Sequence, residues 1–450
     1  MNKDLTVGTP WKVIAKFSLP VIGGNLFQLF YTLADTVIVG KTLGADALAA
    51  VGVTATVVNF ELCFIQGFTG GFGILLGQAF GEKSQSKMKD SVSASWILSI
   101  IFSLLLTAVL CLLANPILQK LNTPLDIYER AYDYLFIMFL GTSATVFYNM
   151  ISNMLRALGD SRMPLYFLIF SSVLNVVLDI IFIVPLGLDV AGAALATVIA
   201  QFVSAFLCVI FAGRHFEVLK IKKDIWKFKK SPIVRHIKIG FPMGFQMSVM
   251  YIGVLAMQWA VNSVGTSAIA GYTAANKVEQ ISILINTAVS IGLANYVAQN
   301  FGARKWQRIR HGVTSCLIMV SVLNVAMAVL LLAGKGFVVP LFVSNPTAEI
   351  VKYSDIYLWV VAPFYIILGA LIVYRTAIQS MDNSWGPFGA CIIELIARIS
   401  CAIFAATYFG YTAVCFSTPF AWITATTWLV AVYFAVEYRK LKKYEERINK

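Results

Sequence analysis

An all-α polytopic membrane protein, with twelve transmembrane helices in two six-helix bundles related by pseudo-two-fold symmetry, is the fold class that three features of the sequence predict. Of the 450 residues, 59% are hydrophobic and only 13% charged, against roughly 25% charged in a soluble domain. Apolar runs long enough to cross a bilayer recur along the whole chain. The second half also repeats the first. Lys16-Phe-Ser-Leu-Pro20 returns as Lys238-Ile-Gly-Phe-Pro242, Gly44-Ala-Asp-Ala-Leu-Ala49 as Gly265-Thr-Ser-Ala-Ile-Ala270, and Gln78-Ala-Phe-Gly81 as Gln299-Asn-Phe-Gly302, at offsets of 222, 221 and 221. With six spans per half, both halves enter from the same side and are related by an axis along the membrane normal.

The first span, 13–38, follows a few lysines and superficially resembles a signal peptide. The run continues through Pro20, Gly23 and Gly24 as far as Asp35 with no small-residue cleavage pattern, so it reads as a permanent helix. Span two, 47–78, carries Gly70, Gly71 and Gly73, which membrane helices tolerate and transporters use for bends. Spans 91–115, 131–156, 163–185 and 190–213 complete the first half. The second half begins with 237–262, whose Pro242 answers Pro20, and continues with 266–300, 311–333, 350–378, 386–408 and 412–437.

Lysine and arginine place these spans. Alternate loops are rich in them, whereas the other set holds only Lys41, Lys120, Arg130, Lys335 and Lys352, so both termini are expected in the cytoplasm of a multi-pass protein of the cell membrane. The expected organisation is an N-terminal six-helix bundle with a cation site (1–213), a basic cytoplasmic linker (214–236), a C-terminal six-helix bundle (237–438) and a basic cytoplasmic tail (439–450).

Several function classes fall away. The formal charge of +13 is spread over short loops between spans, where it orients a membrane protein, and no nucleic-acid binding is expected. The seven cysteines all lie in spans without a CxxC pair and read as small hydrophobes. His215, His236 and His311 lie in basic loops, so neither a buried histidine metal site nor a His-based catalytic centre is supported, and the chain is not expected to be an enzyme.

Chemistry concentrates in the polar residues within spans. Asn175 and Asp179 are four apart in an apolar run, hence on one helix face. A carboxylate in hydrocarbon costs at least about 2.5 kcal/mol unless it finds a cavity or partner. Asp35 in span one and Thr197 in span six fall at a similar depth. Two carboxylates, an amide and a hydroxyl are hard oxygen ligands suited to Na⁺, and two close carboxylates also share a proton readily, because both cannot easily ionise in a dry site. Asp35, Asn175, Asp179 and Thr197 are therefore the cation-coupling candidates for H⁺ or Na⁺.

The remaining candidates are more dispersed. Glu394 and Arg398, four apart and acid first, fit a structural ion pair. Glu61, Lys277 and Glu279 lie mid-depth on spans that correspond in the repeat and are candidates for a gating contact or an ion pair. Gln28 and Tyr31 in span one and Gln246, Met247 and Met250 in span seven are candidates for an adaptable substrate cleft. On this reading Lys277 and Arg398 are the only bases inside spans.

Leu33-Ala-Asp35-Thr-Val-Ile-Val-Gly40, Arg156-Ala-Leu-Gly-Asp160, Asn175-Val-Val-Leu-Asp179 and Gly192-Ala-Ala-Leu-Ala-Thr197, set in two six-helix halves with Pro20 in the first span, resemble the multidrug and toxic compound extrusion (MATE) family over nearly the whole chain. The resemblance implies a secondary active multidrug efflux transporter: an antiporter that expels small organic cations or aromatic drugs against H⁺ or Na⁺ by alternating access. It needs no cofactor beyond that ion. It would work among membrane lipids as a monomer, with Asp35, Asn175, Asp179 and Thr197 as its coupling site and Tyr31 close by. Some branches of the family place acids in spans seven and ten, whereas 243–262 and 356–378 hold none here. A lipid-linked precursor flippase of similar architecture is the alternative, and it would be expected to have a basic central cavity.

Overall fold

The computed structural model describes residues 4–221, 226, 228–334, 336, 339–341 and 346–448. Lys335, residues 222–225 and 227 of the basic linker, and the last two residues of the tail lie outside the described residues.

Every regular element among the described residues is helical. Those that matter here are α1 (Pro10–Thr42), α2 (Ala45–Gly81), α3 (Gln85–Lys120), α4 (Tyr128–Leu140), α5 (Thr142–Ala157), α6 (Arg162–Ile183), α7 (Asp189–His215), α8 (Lys230–Asn262), α9 (Thr266–Gly302), α10 (Trp306–Ala333), α11 (Ala348–Val361), α12 (Tyr365–Ser380), α13 (Trp385–Tyr408) and α14 (Gly410–Val432). Among the described residues, eleven helical segments are long and apolar enough to cross a membrane, and the α4–α5 pair, bent by 44°, makes the count up to twelve. The chain is a polytopic all-α membrane protein. The span expected as continuous over 131–156 is broken at Gly141, where a Cβ would meet Val198 Cγ2 at 2.3 Å. Val198 can pack against the helix only where no side chain intervenes, and the bend sits at that glycine.

The repeat seen in the sequence recurs in the backbone turns. Left-handed residues occur in corresponding pairs: Gly44 with Gly265, Lys83 with Arg304, Gly159 with Asp382, and Gly187 with Gly410. Each pair ends or begins the same helices in the two halves, so turn geometry is shared even where residue type is not. At α6 the Asp160 carboxylate accepts from the amides of Arg162 and Met163 at 3.0 and 3.1 Å, supplying two of the donors a helix start leaves free. Asn383 accepts from Gly386 N at 3.0 Å in the corresponding turn before α13.

The chain forms two compact units, Met1–Asp4 with Gly23–Gly244, and Leu5–Ile22 with Phe245–Lys450. Their boundaries fall inside α1 and α8 rather than in the linker. Within the first unit the start of α8 packs against α2. A Cβ on Gly67 would stand 2.3 Å from Met243 O, and one on Gly71 would stand 2.8 Å from Gly240 Cα. Within the second unit, Gly292 of α9 meets Ser18 Oγ at 2.3 Å and Ile14 O at 3.2 Å by the same measure. Small residues allow these backbones to touch where apolar association alone gives little drive. Gly67→Ala should cost about 1–3 kcal/mol by overpacking. Gly70→Ala, whose Cβ would meet only the flexible end of Met243 at 3.5 Å, should stay within about 0.5 kcal/mol. Equal thermal midpoints for the two purified variants would show that α2 and α8 are not held at this distance.

Candidate functional site

The α6–α7 hairpin in the first unit builds the polar site. α7 presents Ala193, Ala194, Ala196, Thr197 and Ala200, all buried, a strip of small side chains that lets α6 come close. That approach brings Asn175 and Asp179 of α6 to Thr197 of α7, at relative exposures of 1%, 0% and 7%. α1 adds Tyr31 and Asp35, both half-buried. The Tyr31 hydroxyl lies 3.5 Å from Thr197 Oγ1.

The four coupling candidates and Tyr31 therefore come together. The Asn175 amide has one orientation that satisfies both its ends. Its nitrogen then donates to Asp179 Oδ2 at 3.0 Å, and its oxygen accepts from Thr197 N at 3.0 Å and Thr197 Oγ1 at 3.2 Å. Asp35 and Asp179 lie within hydrogen-bonding reach of one another, an arrangement in which two carboxyls can share one proton. Oδ1 of each is buried and receives no donor, so a proton shared by the pair or a bound cation is what would satisfy it. Such an oxygen is costly unless something binds it.

A sodium ion would need several oxygen ligands. Asp35, Asp179 and the Tyr31 hydroxyl could turn lone pairs toward it, whereas the Asn175 oxygen is engaged by Thr197 and its nitrogen faces Asp179. A proton needs only the two carboxyls. Tyr134 of α4, 8% exposed, lies within electrostatic range of the same acids. Sequence reasoning missed it because a single tyrosine in an apolar span carries no distinguishing signal.

The other candidates are scattered. Gln28 is exposed on α1. Glu61 accepts from Thr142 Oγ1 at 2.6 Å within the first unit, directly after the Gly141 bend. In the second unit Glu279 is buried and accepts from the Tyr357 hydroxyl at 2.5 Å. Lys277, two residues earlier, lies exposed on the opposite face of α9. Gln246 is buried and paired to Gln379 at 2.6 Å. Met250 is half-buried, and Met247 is exposed.

One expectation needs correction. Lys277 and Arg398 are not the only bases in the spans: Arg375, three residues before the end of the expected 350–378 run, lies inside α12 and is 5% exposed. Its Nη2 meets Glu394 Oε2 at 2.8 Å, while Arg398 Nη2 meets Glu394 Oε1 at 3.0 Å. The expected Glu394–Arg398 pair is thus one side of an Arg–Glu–Arg triad. Glu394, on α13, could have signalled the missing base, because a lone acid with one arginine leaves a carboxylate oxygen to be filled.

The MatE family profile matches residues 20–181 and 242–404, one stretch in each half of the repeat. YpnP of Bacillus subtilis (strain 168), a probable multidrug resistance protein, is 31% identical over 377 residues, 84% of each chain. The multidrug export protein MepA of Staphylococcus haemolyticus (strain JCSC1435) is 25% identical over 408 residues, 90% of this chain and 89% of its own. A solved multidrug resistance MATE family transporter of the MOP superfamily, in an outward-facing conformation, shares the fold. Its TM-score is 0.89 over 98% of this chain and 99% of its own, at 21% identity.

Proposed function

The chain belongs to the MatE family, and we infer that it is a secondary active multidrug efflux transporter that exchanges cationic or aromatic organic compounds for protons at Asp35 and Asp179 by alternating access. It works as a monomer in the cell membrane with both termini in the cytoplasm. The reading is supported by the carboxyl pair, within hydrogen-bonding reach of one another and each with a buried Oδ1 that receives no donor. The family relatives named for multidrug resistance and export supply the substrate class.

The coupling logic follows from competition. A proton on the pair removes the negative charge that attracts an organic cation, so the two ligands favour different occupancy of one site. The engagement of Asn175 with both Asp179 and Thr197 favours a proton over a sodium ion, which would have to break those bonds to gain ligands. Vesicles containing the purified protein should accumulate a fluorescent organic cation when a proton gradient is imposed, and not when a sodium gradient is imposed at equal pH. Accumulation driven by sodium alone would overturn the proton assignment.

A further inference from the structure

The buried triad of the second unit has more donors than its partners use. Arg375 gives Nη2 to Glu394 and Nη1 to the sulfur of Met250, at 3.1 Å. A thioether is a weak acceptor. Arg375 Nε has no partner. On the next rung of the α8–α12 contact, Gln246 accepts from Gln379 through its oxygen, but its own buried amide nitrogen is unpartnered. Two buried donors on adjacent rungs, one of them charged, are thus left without an acceptor, with Gln246 at 0% exposure and Arg375 at 5%.

The charge around them points the same way. α12 contributes Arg375, and α13 contributes Arg398 and Glu394. α14 contributes the neutral Thr418, 3.3 Å from Arg398 Nη1. α8 contributes Gln246, Met250 and Gly253, whose missing side chain leaves room for Arg398. Glu279 on α9 lies within electrostatic range of Arg398 but makes its hydrogen bond to Tyr357. Two guanidiniums therefore share one carboxylate in direct contact, and the bidentate fork of Arg375 is only half used.

We propose that Arg375 and Gln246 form a recognition site for an oxyanion, the carboxylate of an amphiphilic aromatic substrate. The site rests on the efflux reading above and deepens it. Met250 is its stopper. It is flexible, half-buried and therefore within reach of the accessible surface, and its sulfur occupies a guanidinium donor that a carboxylate would take in preference.

The test uses a rhodamine bearing a free carboxylate and its methyl ester, two dyes that differ only in that group, with binding to the purified full chain followed by fluorescence anisotropy. The acid should bind about tenfold more tightly than the ester, the scale of a charge-assisted hydrogen bond. Arg375→Gln should erase the difference between the two dyes. Gln246→Glu is the second variant, because its carboxylate keeps the bond from Gln379 and supplies the acceptor that Arg375 lacks. The protein should fold at least as stably and lose the preference for the acid over the ester. Equal affinity of the two dyes for the unaltered protein, or an acid preference that survives in Gln246→Glu, overturns the site. If the ester is still carried uphill by a proton gradient in that case, efflux stands and only the oxyanion site falls. Binding of neither dye removes both.

Discussion

Asp35→Asn and Asp179→Asn should each reduce proton-driven accumulation of an organic cation by about tenfold or more, because a ligand with no differential affinity shifts no equilibrium. Asparagine retains the shape and one acceptor but cannot release a proton to the other carboxyl. Neither change should unfold the first unit. Asp179 is fully buried and receives the Asn175 amide, a bond that an asparagine oxygen can still accept. Near-native thermal midpoints should therefore accompany the loss. Equilibrium binding separates coupling from simple damage. In the unaltered protein the affinity for a cationic drug should rise with pH across roughly 5.5–8.5, as protons leave the pair and the negative charge returns. In either variant that dependence should flatten. Wild-type accumulation in both variants, or a drug affinity in the unaltered protein that ignores pH, would remove Asp35 and Asp179 from the coupling step.

What could be read from the sequence was whatever the helix period and the repeat constrain. Asn175 and Asp179 had to share a face because they are four apart, and Thr197 had to lie near them because the α6–α7 connection is short. The left-handed turn residues recur at the repeat spacing because each must end the same helix in the same place. Features set by packing between distant segments were not legible. Tyr134 reaches the acids only through the placement of α4, and the Gly141 bend depends on Val198, 57 positions later in the numbering. For Arg375 the obstacle was different. Although it falls within the expected 350–378 run, a base three residues from the end of that run reads equally well as the start of the following loop, and what holds it inside is Glu394 on another helix. α8 shows the same limit on a smaller scale. Gln246 and Met250 point inward together at helical spacing, and Met247 between them does not, but nothing in the stripe itself says which face is inner.

Removing Glu394 should be the most damaging single change in the second unit. In Glu394→Gln the guanidiniums of Arg375 and Arg398 lose the one carboxylate that each contacts at 2.8 and 3.0 Å. Their side chains, only 6% and 11% exposed, have little access to water. Breaking a buried pair by removing one partner typically costs about 3–5 kcal/mol, since an uncompensated charge stays behind. For a unit of this size that corresponds to a fall of roughly 10 °C in thermal midpoint. The double change Glu394→Gln with Arg375→Gln restores the triad's original excess of one positive charge and leaves Arg398 its bond to Thr418. It should therefore be less damaging than Glu394→Gln alone, with a coupling of about 1–3 kcal/mol between the two positions. The decisive comparison is the midpoint of the double variant against that of the single one. If the second substitution lowers it further, Glu394 stabilises the unit through packing rather than by neutralising the two arginines.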